Sequence, residues 1–354
     1  MKQASRRGWI TALITLLFQG VAHAQWMPQA SGTKARLRGL SVVDSKVVWV
    51  SGSHGTFVMT TDSGATWRPR TVPDAPGLDC RDIHAVDRRT AYLLSIGEGD
   101  RSRIFKTTDG GDSWSLQFMN RDPKGFLDAF AFWDVNRGIA LGDPVDGRFT
   151  ILATDDGGRN WKRNPVESMP PALPGEGAFA ASGTCLVVQG QRNAWFGTGG
   201  ARPSRIFRSI DRGRTWTVHE TPIRADTASS GIFSLSFRDT DHGVAVGGDY
   251  KRPEKADRII ARTADGGRTW NLIKGPQPRG YRSAVAYVPG TAKPTLVVVG
   301  PTGSDYSTDD GETWLPLGKI GFHAVGFAGP NAGWAVGEDG VIARSSRSIE
   351  PERR

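Results

Sequence analysis

The chain has 354 residues, including 45 glycines, 21 prolines and 12 tryptophans, and carries a net charge of +9. Its two cysteines, Cys80 and Cys185, form no C-x-x-C pair or Cys/His cluster, so neither a zinc site nor a thiol redox motif is encoded. No long amphipathic helical period follows residue 25, whereas glycine, proline and aromatic residues at this level suit many short strands joined by tight turns.

Residues 1–24 read as an export signal. Lys2, Arg6 and Arg7 form a charged start, Trp9–Phe18 an apolar stretch, and Ala22-His-Ala24 a small-x-small cleavage site. The apolar stretch is short for a bilayer span, and the Arg6-Arg7 pair leaves both the Sec and the twin-arginine routes open. The expected location is therefore periplasmic or extracellular, with no transmembrane segment once the leader is cleaved. Without the leader's three cations the net charge is +6. On an exported chain that favours an acidic protein partner or another anionic surface over nucleic acid. Cys80 and Cys185 lie in different repeats, which favours two buried thiols over a disulfide.

Downstream, one octapeptide recurs six times: Thr60–Trp67 (TTDSGATW), Thr107–Trp114 (TTDGGDSW), Thr154–Trp161 (TDDGGRNW), Ser209–Trp216 (SIDRGRTW), Thr263–Trp270 (TADGGRTW) and Ser307–Trp314 (STDDGETW). The tryptophans fall 44–55 residues apart, a period that marks a propeller or solenoid. Each copy follows a β-prone run such as Arg103–Thr107 and precedes another, so it sits at a hairpin turn. Asp62, Asp109, Asp156, Asp211, Asp265 and Asp309 are expected to accept bonds from turn amides, with glycine supplying positive φ and tryptophan plugging the turn. Six equivalent carboxylates spread around a ring cannot converge on one substrate, so their role is structural. The octapeptide resembles the Asp-box, or BNR repeat, of sialidases, sortilin-type receptors and photosystem II assembly factors.

Each repeat also holds two earlier strands, for example Ile83–Val86 and Ala91–Ser95, giving four antiparallel strands per unit. After the sixth octapeptide, Phe322–Phe327, Ala332–Gly337 and Gly340–Ser345 supply three strands of a seventh unit, which lacks the octapeptide. Its fourth strand is expected at the other terminus, where Gln25–Gln29 matches the runs that follow each octapeptide tryptophan. The reading is all-β: a seven-bladed β-propeller of four-stranded antiparallel blades over residues 25–346, the last blade closed by the N-terminal strand, with a polar tail at 347–354. A monomer is expected. Two insertions, Asn164–Glu176 and Asp249–Asp257, are candidate binding loops.

First strands of a propeller line its central channel, which makes Arg38, Arg81, Asp82, Asp128, Glu176, Ser182, Ser234, Arg282 and His323 the candidate ligand-binding residues. No metal or cofactor motif is present: Asp143 and Asp146 alone are too few for a calcium loop, and the Gly-x-Gly strings lie in hairpins. A sialidase-like glycoside hydrolase, or a carbohydrate-binding propeller, is the alternative. It would use Asp82, Asp128 or Glu176 as its carboxylates, with Arg38, Arg81 and Arg282 as an arginine cluster. Against it, the Arg-Ile-Pro motif of sialidases is absent and only Tyr281 lies near a first strand. With an octapeptide on nearly every blade and segments such as Gly337–Arg344 and Ile259–Trp270, the whole mature chain resembles the photosystem II stability/assembly factors and their bacterial relatives. That resemblance implies a non-enzymatic, exported factor that holds a protein partner during assembly, in part through arginines.

Overall fold

The computed structural model describes residues 26–73, 75–346 and 349; the expected leader and most of the C-terminal tail lie outside the described residues. Within them the chain forms seven four-stranded antiparallel sheets and only three short 3-10 turns. The blades span 37–71, 79–119, 127–163, 186–221, 230–272 and 284–318. The seventh combines 324–345 with Trp26–Gln29.

The ring closes as the sequence predicts. Trp26–Gln29 pairs antiparallel with Ile342–Ser345, Trp26 opposite Ser345 and Gln29 opposite Ile342. The Trp26 indole is 7% exposed, donates to Ser304 Oγ at 2.9 Å and packs edge-on against Phe322. Joining the two termini in one blade leaves no open sheet edge between first and last blades. Ile349 is buried beside Trp26, so packing continues past residue 346.

Blades are held together by apolar faces that interleave across each seam. Trp49, Trp195 and Trp334 are fully buried, at the middle of the second strands of blades one, four and seven. Truncating a buried tryptophan typically costs about 3–5 kcal/mol. Blades three and five have fourth strands of only two residues, Lys162–Arg163 and Asn271–Leu272. Pro165 and Pro276 follow closely, and a residue without an N–H cannot extend the ladder.

All six octapeptides share one set of bonds around their aspartate. In the first, Thr60 Oγ1 donates to Asp62 Oδ1 (2.7 Å) and accepts from Gly64 N (2.9 Å), while Asp62 accepts from Thr66 N and Thr66 Oγ1 at 2.9 and 2.6 Å. The same bonds recur in the fourth through Asp211 with Ser209 and Thr215, and in the sixth through Asp309 with Ser307 and Thr313. Bonds from Thr66 hold the Asp62 carboxyl down at about 2, and bonds from Asn160 do the same for Asp156. Every one of these carboxylates is therefore committed to its own turn.

Candidate functional site

In an antiparallel four-strand blade, the octapeptide turn and the hairpin between the first two strands lie on one face of the ring. The starts of the first strands lie on the opposite face. That second face gathers most of the candidate residues, but around an element that periodicity did not reveal. Blade four begins its regular first strand only at Leu186. The residues before it, 177–185, run across the channel and bond to five other blades.

The bonds go around the ring. Ala178 N donates to Asp143 of blade three (2.9 Å), and Arg81 Nη1 of blade two donates to the Ala180 carbonyl (2.9 Å). Arg38 Nη1 of blade one donates to the Ala181 carbonyl (3.2 Å), and Ser182 Oγ to the Ser283 carbonyl before the first strand of blade six (3.0 Å). Thr184 Oγ1 meets Ser234 Oγ of blade five at 2.6 Å. Gly183 is pressed onto Asp82: a Cβ there would sit 2.2 Å from Asp82 Oδ1, and its φ is +78°. Segment 177–185 is a plug, and apart from Phe179 its residues are small (Gly-Ala-Phe-Ala-Ala-Ser-Gly-Thr-Cys).

The plug divides the candidate residues. Beneath it lie Asp82 and Asp128, 7% and 1% exposed, together with Asp143 and the Cys185 thiol. Burial pushes Asp82 up to about 7 and Asp143 to about 6. Burial and the neighbouring Asp143 push Asp128 well above the usual carboxylate range. Phe130 N still donates to Asp82 Oδ2 (2.9 Å), whereas buried Asp128 Oδ2 has no protein partner. Burial, with Asp128, Asp82 and Asp143 nearby, also raises the Cys185 thiol well above its ordinary range. Cys80 is likewise buried and free.

Above the plug is a mouth with excess positive charge. Arg36 and Arg81 share Asp79, at 3.2 and 2.8 Å, and Arg38 approaches Glu338 at 4.0 Å. Burial and the neighbouring Arg81 lower Arg38 to about 10. His323 Nε2 sits 2.7 Å from Glu338 Oε1, and burial together with Arg38 pulls it to about 4, leaving it neutral at pH 7. An aromatic wall adjoins these cations: Phe179 of the plug stacks on Phe233 at 4.0 Å, Tyr281 meets Phe233 edge-on at 4.7 Å, and Tyr250 stands exposed beside them.

Two candidates do not reach the channel. Arg282 is 1% exposed and is bound to Asp305, the Tyr281 carbonyl and Thr302 Oγ1 inside blade six. Glu176 is bound by Arg205 and by Thr198 Oγ1 at 2.6 Å, and it accepts from Leu173 N. It fastens the Asn164–Glu176 insertion, which also buries Met169 in the core of blades three and four. That insertion is packed down rather than free. In the Asp249–Asp257 loop, Arg252 is bound to Asp249 (2.7 Å).

Sequence reasoning missed Arg36, Asp79 and the plug itself, and weighed Asp143 only as a calcium ligand. The available signal was the run of small residues where blade four should have shown an apolar alternation.

No protein-family profile matches the chain. A curated relative, the chloroplastic photosystem II stability/assembly factor of Arabidopsis thaliana, is 23% identical over 235 residues, 64% of this chain and 53% of that protein. The chain resembles the photosystem II stability/assembly factors. Xyloglucanase Xgh74A of Acetivibrio thermocellus is 24% identical over 254 residues, 29% of its length, so the chain spans about half or less of the curated relatives it matches. Among solved structures, YCF48 bound to a D1 peptide superposes with a TM-score of 0.62 at 18% identity, covering 94% of this chain and all of that one. A GH74 xyloglucanase from Xanthomonas campestris gives 0.63 at 18%, with 93% of this chain and 54% of the enzyme covered. At these identities the structural likeness establishes the propeller fold. Among the described residues, no helix is long and apolar enough to cross a membrane, and no cluster of three or more His, Cys, Asp or Glu residues could hold a metal ion.

Proposed function

We propose that this protein is an exported, non-enzymatic propeller that binds a protein partner at the plugged mouth, as an assembly factor of the Asp-box type. The observation that carries the reading is the plug. It fills the channel where a propeller enzyme would admit substrate, and it stands among Arg36, Arg38 and Arg81 beside the half-buried Phe179 and the exposed Tyr250. A cation-rich, aromatic, rigid surface suits an acidic segment of another protein, because arginine and tyrosine anchors dominate protein interfaces. The similarity to photosystem II assembly factors, and the D1 peptide held by the similar propeller YCF48, favour the same class of role.

The glycoside-hydrolase alternative fits less well. Asp82 and Asp128 lie under the plug, and Glu176 is consumed by Arg205, so no carboxylate pair is open to a sugar at this mouth. The test is affinity capture from an extracytoplasmic extract of the source cells, with the unaltered protein and with an Arg36→Glu, Arg38→Gln double variant. Specific recovery of a partner that the variant loses supports the reading. Turnover of aryl-glycosides, abolished by Asp82→Asn, would contradict it.

A further inference from the structure

The face opposite the mouth shows a second regularity. In four blades the residue at the end of the third strand, just before the octapeptide or its place in blade seven, reaches across the seam to the octapeptide of the next blade. Lys106 Nζ donates to the Gly157 carbonyl (2.8 Å), Arg208 Nε to the Gly266 carbonyl (2.8 Å) and Arg344 Nη1 to the Ser63 carbonyl (3.3 Å). Arg262 pairs with Asp310 at the equivalent position (3.1 Å). Where Met59 occupies that place, Arg70 substitutes, pairing with Asp112 at 2.9 Å. A cation thus clasps five of the six seams that have an octapeptide on the far side.

The exception lies between blades three and four. There the residue is Ala153, too short to cross, and a cavity of about 440 Å³ opens. That volume falls within the range of small-molecule sites. The Trp133 ring lines it, with its indole N–H already committed to the Asn193 carbonyl (3.0 Å). The side chains of Lys162 and Arg214 also line it and make no hydrogen bond or ion pair among the described residues. Arg212 contributes a third cation, its Nε bound to the Gln191 carbonyl (2.9 Å). Exposed Asp155 also lines it and can accept hydrogen bonds.

From this we infer that the seam between blades three and four is a ligand site for an acidic saccharide carrying a uronate group. The Trp133 indole, its N–H already committed, adds apolar surface of the kind that packs against a sugar ring. Lys162 and Arg214 supply charge-assisted donors for the carboxylate. Asp155 accepts hydroxyl donors, and it would repel a bare inorganic anion. The site lies on the opposite side of the ring from the plugged mouth and does not depend on the partner proposed there.

Calorimetric titration with digalacturonate tests the assignment, with cellobiose and sulfate as comparison ligands. Digalacturonate should bind at least about tenfold more tightly than either, the discrimination expected of one charge-assisted contact plus a ring contact. Ala153→Lys, which rebuilds the clasp of the other seams inside the cavity, should abolish binding while the melting temperature holds or rises. Arg214→Glu, on the exposed surface, should weaken binding about tenfold or more without unfolding the chain, and it decides the matter if Ala153→Lys misfolds. The assignment is overturned if digalacturonate gives no binding at millimolar concentration, if sulfate binds equally well, or if Arg214→Glu leaves the affinity unchanged.

Discussion

Arg38 of blade one donates through Nη1 to the carbonyl of Ala181, 3.2 Å away and 143 residues along the chain. That bond, repeated in kind by Arg81 on Ala180, joins the cationic mouth to the segment that closes the channel. The arginines at the mouth and the plug are one structure, so a partner drawn to the arginines also rests on the plug.

The carboxyls under the plug predict a pH dependence. Asp82 is held near 7 and Asp143 near 6 in the folded protein, against 3.8 for a free aspartate. Between pH 4 and 7 the folded chain therefore keeps protons that the unfolded chain releases. Stability should fall as pH rises through that window. Asp82→Asn keeps an acceptor for Phe130 N and removes the ionisation. It should flatten part of the slope and stabilise the protein at pH 8 by up to about 4 kcal/mol, since each pKa unit is worth 1.36 kcal/mol. Urea unfolding of both proteins at pH 5 and pH 8 measures it.

Octapeptide carboxylates predict the opposite limb. Asp62 and Asp156 lie near 2 in the folded state, so their contribution is present above about pH 4 and lost as pH falls through 2. Asp211→Ala removes the acceptor of Thr215 N, Thr215 Oγ1 and Ser209 Oγ. Its cost should be about 1–3 kcal/mol, read as a lowered denaturation midpoint with partner binding retained.

Arg282 and Asp305 form a buried pair, 1% and 4% exposed at their side chains. Arg282→Met strands the carboxylate and should cost about 3–5 kcal/mol. Adding Asp305→Asn should recover part of that loss. A thermal-denaturation double-mutant cycle would show the coupling, and purely additive losses would argue against it.

Ring closure rests on Trp26. Trp26→Ala empties the pocket beside Phe322 and frees Ser304 Oγ, for an expected loss of about 3–5 kcal/mol. Hydrogen exchange should quicken first in Ile342–Ser345, the strand it pairs with.

Much of this architecture was legible because a repeat states its rule six times over. The octapeptide placed the turns, and the missing seventh copy pointed to Trp26 as the strand that closes the ring. The site was less legible. Position at the start of a first strand was a fair guide for Arg38, Arg81 and His323, which reach the mouth. It misled for Arg282, because Asp305 of the same blade turns that side chain inward. It also failed for Glu176, because its partner Arg205 is 29 residues away and no local pattern announces the pair. The plug stayed hidden because its bonds run to five different blades, and long-range tertiary contacts leave no period in the sequence.

A photo-crosslinking residue placed singly at Tyr250, on the mouth, or at Thr61, on the octapeptide face, shows which face of the ring meets the partner. Both positions are exposed. Exposed to an extracytoplasmic extract of the source cells, the Tyr250 variant should trap a discrete protein adduct, and Arg36→Glu with Arg38→Gln should remove it. An adduct formed from Thr61 and not from Tyr250 would contradict the assignment of the plugged mouth as the binding face.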